Sequence, residues 1–69
     1  MPIVINLDVQ LAKRKMKLKE LSNIVGISVQ NLSVLKTGKA RAIRFSTLEK
    51  LCQALGCTPG DLIEYQEQP

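Results

Sequence analysis

The side chains best suited to specific chemistry lie together between residues 28 and 44. Four of them donate and accept hydrogen bonds: Ser28, Gln30, Asn31 and Ser33. Four cations then follow within nine residues: Lys36, Lys39, Arg41 and Arg44. Amides and hydroxyls suit base edges and phosphate oxygens, and cations neutralise phosphates, so this segment favours nucleic-acid binding.

Two short segments with apolar residues at helical spacing must position these side chains. The spacing predicts one helix over residues 18–25, a left-handed turn at Gly26 and a second helix over residues 29–36. Ser28 is expected to cap the second helix and Gly38 to end it. The residues expected to face inward are Leu18, Leu21, Val25, Leu32 and Leu35. A unit of this layout, about residues 18–37, enters the major groove of DNA in helix-turn-helix proteins.

A first helix is predicted before this unit, over residues 7–15. Asn6 is a candidate cap and Asp8 lies in the first turn, while Lys13, Arg14 and Lys15 crowd the end where the helix dipole favours cations. The face expected to be apolar carries Leu7, Leu11 and Ala12.

Two further helices are predicted after a basic loop over residues 39–45. Ser46 and Glu49 form an S-x-x-E capping box, which predicts the start of the fourth helix, and Gly56 is expected to stop it. Its apolar stripe consists of Leu48, Leu51, Cys52 and Leu55. Thr58 then begins a single fifth turn, with Pro59 at its first position and Asp61 three residues after the cap. Residues 3–5 and 63–65 are β-prone, and we expect them to pair as short strands.

The length and the charge distribution limit the kinds of protein that this chain can be. The 69 residues form one domain (1–69) with a small core. Nine cations and one acid lie between Lys13 and Arg44, whereas three acids lie between Asp61 and Glu67, so one face attracts polyanions. Cys52 and Cys57 are expected to be buried free thiols in a reducing cytoplasm, with redox sensing as the weaker alternative.

Other function classes find little support in these residues. The chain has no histidine, no glycine-rich phosphate loop and no cluster of carboxylates, so we expect no catalysis, no metal, no cofactor and no small-molecule ligand. We expect no membrane association either, because no run approaches the roughly 18 apolar residues of a membrane span.

The order and spacing of these motifs resemble those of the Cro/phage-repressor type helix-turn-helix family, also called the Xre family. The strings LKELSNIVGISVQNLSVLKTGKA and TLEKLCQALGCTPGDLIEY carry the resemblance, which covers residues 7–63, about four fifths of the chain. They look like a bacterial subgroup of small, stand-alone regulators. The resemblance implies an all-α, lambda-repressor-like fold of five helices, here with short β-strands at the two chain ends.

The resemblance also implies roles for individual residues. The positions that face bases in the third helix fall on Val29, Gln30, Ser33 and Val34. Gln30 suits adenine and the two valines suit thymine methyl groups, although Gln30 could be an ordinary solvated residue and either valine could lie in the core. Contacts to the DNA backbone are expected from Lys17, Ser28, Asn31, Lys36, Lys39, Arg41 and Arg44. For these cations the alternative is a merely solvated face, and Ser28 is first of all a helix cap.

Three positions depart from the family pattern. Leu18 replaces a glutamine that touches phosphate, and Lys17 replaces the usual serine or threonine cap. Leu11 and Lys36 stand where many members have a buried arginine–glutamate pair, which fits replacement of that pair by apolar packing.

The sequence therefore predicts a sequence-specific double-stranded DNA-binding transcriptional regulator in the cytoplasm, acting as a homodimer. The alternative is a protein-interaction module of the same fold, such as an antitoxin or an anti-regulator, and a third possibility is non-specific, architectural DNA binding. Residues 1–5 or 62–65 are expected in or beside the dimer interface, because they leave an unpaired strand edge.

Overall fold

The computed structural model describes residues 3–67 and contains five helices and two strands. In chain order they are β1 (Ile3–Ile5), α1 (Leu7–Lys13), α2 (Leu18–Val25), α3 (Val29–Lys36), α4 (Phe45–Leu55), α5 (Pro59–Leu62) and β2 (Ile63–Tyr65). The five predicted helices and the two terminal strands are thereby confirmed.

Every helix contributes at least one side chain to a single core of eight leucines and one valine. The buried set is Leu7, Leu11, Leu21, Val25, Leu32, Leu35, Leu51, Leu55 and Leu62. Because each helix is short, its stability depends on this shared apolar contact more than on its own propensity. The core therefore fixes the orientation of α2 and α3 relative to the rest of the domain.

The helix α1 ends two residues earlier than predicted. It stops at Lys13 because Lys15 adopts a left-handed conformation, with φ of 51°. The amide of Lys15 then donates to the carbonyl of Ala12, and that of Met16 donates to the carbonyl of Leu11. This geometry closes a helix end and is usually found with glycine, so a lysine there gave no sequence signal.

The buried polar residue of α1 was also missed. Ala12 is exposed, and Gln10 occupies the inner face at 6% exposure. Arg14 Nη1 donates to Gln10 Oε1 at 2.6 Å, and Gln10 Nε2 donates to the carbonyl of Asp61 at 3.4 Å. Arg14 Nη2 also reaches the carbonyl of Gly56 at 3.4 Å. These bonds satisfy the buried amide and tie α1 to the end of α4 and to α5.

Four helix caps were predicted. Ser46 is wrong, Asn6 holds the cap position of α1 without a capping bond, and Thr58 and Ser28 are confirmed as cap residues. Asn6 makes no capping bond and instead donates from Nδ2 to Glu64 Oε1 at 2.9 Å, which links the two ends of the chain. The helix α4 begins at Phe45, with Arg44 and not Ser46 at the cap position. At α5 the amide of Thr58 donates to Asp61 Oδ2 at 2.9 Å, as the Thr–Pro–x–Asp pattern predicts. That bond holds the pKa of Asp61 below its ordinary value.

The two chain ends pair as predicted. The strands β1 and β2 are antiparallel, with Ile3 opposite Tyr65 and Ile5 opposite Ile63. Directly opposed residues share a face of the sheet, so these four side chains form one apolar face. Ile5 and Ile63 are half-buried against the core, whereas Ile3 and Tyr65 are exposed.

Both cysteines are free thiols, and both are half-buried where the sequence predicted full burial. The pKa of the Cys57 thiol is raised, chiefly by its partial burial and to a smaller extent by the neighbouring Cys52. A thiol with a raised pKa stays protonated near neutral pH and is a weak nucleophile, which argues against a redox sensor.

Candidate nucleic-acid interface

A tight turn fixes α3 relative to α2. Gly26 takes the left-handed conformation with φ of 72°, and its amide donates to the carbonyl of Ser22 at 2.9 Å. The hydroxyl of Ser22 donates to the carbonyl of Ile27 at 2.6 Å, across the turn, while the Ile27 side chain packs on the core. Sequence reasoning placed Gly26 correctly but missed the bond from Ser22, because a mid-helix serine carries no distinct signal.

The beginnings of α2 and α3 are secured in different ways. The Ser28 hydroxyl accepts the amide of Asn31 at 3.1 Å, which confirms Ser28 as the cap of α3. At α2 the side chain of Lys17 has no acceptor, so it cannot cap. The Glu20 carboxylate instead accepts the amide of Lys17 at 3.3 Å. The bond to Glu20 thus partly offsets the loss of the serine or threonine cap that the family usually has at the position of Lys17.

The outer side of α3 exposes most of the predicted base-facing residues. Leu32 and Leu35 face the core, while Gln30 is exposed and Val29 and Val34 keep 43% and 40% of their surface accessible. The possibility that one of the valines lies in the core is therefore excluded. Ser33 is half-buried, so it offers less surface than the other three positions.

All seven residues predicted to contact the DNA backbone are exposed: Lys17, Ser28, Asn31, Lys36, Lys39, Arg41 and Arg44. Three of them line or flank one shallow groove between α3 and α4, with Ser28 and Asn31 on one side and Arg44 with Thr47 on the other. Both helices begin at this groove, because Ser28 and Arg44 are their cap residues. Their amide ends and the Arg44 guanidinium give the groove a positive character.

Two of the departures from the family pattern have a clear packing basis. Leu11 is buried in the core and Lys36 is exposed to solvent, so no charge is left buried where the family's ion pair would lie. Leu18 is half-buried against the core and contributes packing at the start of α2.

Residues 3–67 contain neither a candidate metal site nor a candidate membrane-spanning helix. No three His, Cys, Asp or Glu side chains in this range are placed to hold a metal ion together. Over the same residues, none of the helices has the length and hydropathy needed to cross a bilayer.

Five short helices around one leucine core, with a glycine turn before an exposed third helix, define a helix-turn-helix domain. The Cro/C1-type HTH DNA-binding domain family matches residues 6–68, and the chain belongs to this family. It is also similar to YozG of Bacillus subtilis strain 168, described as an uncharacterized HTH-type transcriptional regulator. The two are 64% identical over 66 residues, which are 96% of this chain and 79% of the relative.

Proposed function

We propose that the protein is a transcriptional regulator that binds double-stranded DNA in a sequence-specific manner, with α3 in the major groove. The observation that carries the proposal is the exposure of Val29, Gln30 and Val34 on α3, beside a groove that Asn31, Val34 and Arg44 line. Membership of a DNA-binding family supports the DNA partner, and similarity to YozG, an uncharacterized HTH-type transcriptional regulator, supports regulation. Such a partner would place the protein in the cytoplasm, without a catalytic role.

The side chains of α3 divide between base and backbone contacts in this proposal. The Gln30 amide suits the N6 and N7 edge of adenine, and the two exposed valines suit thymine methyl groups. Ser33 is assigned a weaker base contact because it is half-buried. Ser28 and Asn31 reach phosphates at the start of the helix.

The cations after α3 supply the affinity that does not depend on sequence. Lys36, Lys39, Arg41 and Arg44 neutralise phosphates, and Lys17 does so from the start of α2. Each neutralised phosphate releases counterions, so affinity should fall steeply with salt.

The experiment is a selection of bound fragments from genomic DNA, followed by competition of the selected site against random duplex over a series of salt concentrations. The proposal predicts a steep decline of affinity with salt and a preference for the selected site of at least about a thousandfold. A ratio near one would instead favour architectural binding. An absence of binding at low salt would favour the protein-interaction module, such as an antitoxin or an anti-regulator.

We further propose that the protein binds as a two-fold homodimer through the sheet. The exposed Ile3 and Tyr65 continue an apolar face whose inner half packs on the core, and both edges of a two-stranded sheet offer backbone groups to a partner. Two half-sites about one helical turn apart would then each meet one α3.

Light scattering over a concentration series tests the dimer, with Tyr65→Asp as the disruptive variant. Tyr65 is preferable to Ile63, because Ile63 is half-buried and its replacement by aspartate would disturb folding. Ile24→Asp, an exposed apolar position on α2, is the matched control. A wild-type protein that stays monomeric at high concentration and binds its site one to one would rule the dimer out.

A further inference from the structure

A small apolar cavity lies between the two-stranded sheet and the loop that follows α3. Its volume is about 170 Å³. The sheet contributes Ile3, Ile5 and Ile63 to its lining, and the loop contributes residues 40–43. Because the cavity is assembled from both ends of the chain and from its middle, residue types along the sequence could not reveal it.

Arg41 supplies the polar chemistry of this cavity. Of the lining residues, all of which belong to the described range 3–67, only Arg41 has a polar side chain and none is acidic. Arg41 is itself exposed, so the cavity reaches solvent beside it. Apolar cavities of about 150 Å³ stay dry and bind a benzene-sized molecule. Sites for small molecules commonly combine an apolar lining with a few polar groups that orient the ligand. The lining therefore fits a ring-sized apolar group that carries one negative charge.

The loop of residues 40–43 separates the cavity from the groove between α3 and α4. Three residues of this loop, together with Leu35 of α3, line both spaces. Arg41 lines the cavity, whereas Arg44 lines the groove. A molecule in the cavity would thus contact the back of the wall whose front is proposed to face DNA.

A second copy of this chain is a poor occupant for the cavity. A two-fold contact centred there presents the same patch from both copies, and the lining of this patch holds a cation and no acid. Arg41 would then meet its own counterpart, and like charges brought together oppose a contact. A DNA strand is also a poor occupant, because apolar side chains offer no partner to its phosphates. A small carboxylate matches both the apolar lining and the cation.

We propose that the cavity binds a monocarboxylate with an apolar group about the size of a benzene ring, and that its carboxylate pairs with Arg41. A guanidinium can hold a carboxylate through two parallel hydrogen bonds. The regulatory part of this inference rests on the proposed DNA-binding function: Arg41 paired with the ligand is no longer available to a DNA phosphate, so the ligand lowers DNA affinity. The cavity replaces the expectation from sequence that no small molecule binds.

The test of binding titrates benzoate into the protein and follows backbone amides and methyl groups by NMR. A ligand this small should saturate the site at roughly millimolar concentration, with the largest shifts at residues 40–43 and Ile63. Benzyl alcohol, which keeps the ring without the charge, should bind about tenfold more weakly, and Arg41→Ala should remove that difference. Ala42→Phe, at an exposed lining position, should fill the cavity and abolish saturable binding. Ala12→Phe adds the same ring to an exposed position of α1 and should bind benzoate as the wild type does.

The test of regulation measures the affinity for the selected duplex with and without benzoate, at an ionic strength held constant with chloride. Saturating benzoate should weaken DNA binding by the wild-type protein about tenfold, the size expected for one lost charged contact. Arg41→Ala should bind DNA more weakly and lose the response to benzoate. Arg44→Ala is the matched control: it should also bind DNA more weakly, yet still bind benzoate and respond to it.

The outcomes separate the ligand site from the proposed function. Wild-type protein that shows no saturable binding of benzoate overturns the inference, whether or not it binds DNA. Benzyl alcohol that binds as tightly as benzoate overturns the carboxylate, and benzoate binding that weakens as protein concentration rises assigns the cavity to a second copy and overturns the site. Binding of benzoate without binding of any duplex supports the site and refutes the proposed function. Binding of both without mutual effect overturns the regulation.

Discussion

Replacing Ser28 separates its two roles, as the cap of α3 and as a phosphate contact. Its hydroxyl accepts the Asn31 amide at 3.1 Å and satisfies one of the amides that the start of an eight-residue helix leaves without an intrahelical partner. Ser28→Ala removes that bond and should lower the free energy of unfolding by about 1 kcal/mol. In a domain of this size such a loss lowers Tm by about 4–8 °C.

Ser28→Asp restores the cap but reverses the effect on DNA. The carboxylate accepts the same amide and is favoured by the helix dipole, so Tm should return to the wild-type value or exceed it. The added carboxylate would lie close to the DNA phosphate that Ser28 is proposed to contact, and like charges repel. DNA affinity should therefore fall at least about tenfold at low salt and less at high salt.

Thermal unfolding and DNA titration of the three proteins check both roles. Equal Tm values for Ser28 and Ser28→Ala would contradict the capping argument. Tight DNA binding by Ser28→Asp at low salt would place residue 28 away from the DNA backbone and contradict the proposed orientation of α3.

Three further predictions concern charge, backbone conformation and pH. The double variant Arg41→Ala with Arg44→Ala should weaken binding to every sequence and flatten the salt slope by up to about two units, and an unchanged slope would place the loop away from DNA. Lys15→Gly should raise the free energy of unfolding by about 0.5–1 kcal/mol in denaturant titrations, because Lys15 is held in a left-handed conformation; a loss of stability would contradict this. Hydrogen bonds lower the pKa of Asp61 and Glu64, chiefly those from the Thr58 amide and the Asn6 side chain. Their stabilising effect is therefore present above the ordinary carboxyl pKa of about 4 and is lost as pH falls through the lower folded values. Asp61→Asn should reduce that acid-induced loss in a series of Tm against pH, and an unaltered series would show that Asp61 does not contribute to the loss.

The elements that the sequence predicts well are those with local signals. Ser28 marks the start of α3 and Gly26 marks the end of α2, both by chemistry that acts within a few residues. Both of these helix ends are confirmed. The pairing of residues 3–5 with 63–65 followed from β-branched composition at two ends of a helical body, and it is confirmed as well.

The features that the sequence did not predict depend on distant partners or on competing local choices. Gln10 is buried in place of Ala12 because Arg14 and the carbonyl of Asp61 satisfy its amide, and that second partner lies 51 residues away. The S-x-x-E box at Ser46 is a valid local motif, but the cap is Arg44 and the helix begins at Phe45, two residues earlier than a cap at Ser46 would place it. That earlier start also carries the exposed Phe45 ring into α4. The base and backbone contacts stay predictions, although the exposure of Val29, Gln30 and Val34 is consistent with them.

Competition binding with single base-pair changes would show whether α3 reads sequence in the major groove. Wild-type protein and Gln30→Ala would be titrated against the selected site and against variants altered at each position of a half-site. Gln30→Ala is expected to lose roughly 1–3 kcal/mol of discrimination at one position of each half-site and to retain the preferences elsewhere. An equal fall in affinity for the selected and the altered sites would contradict it, because Gln30 would then not be reading a base.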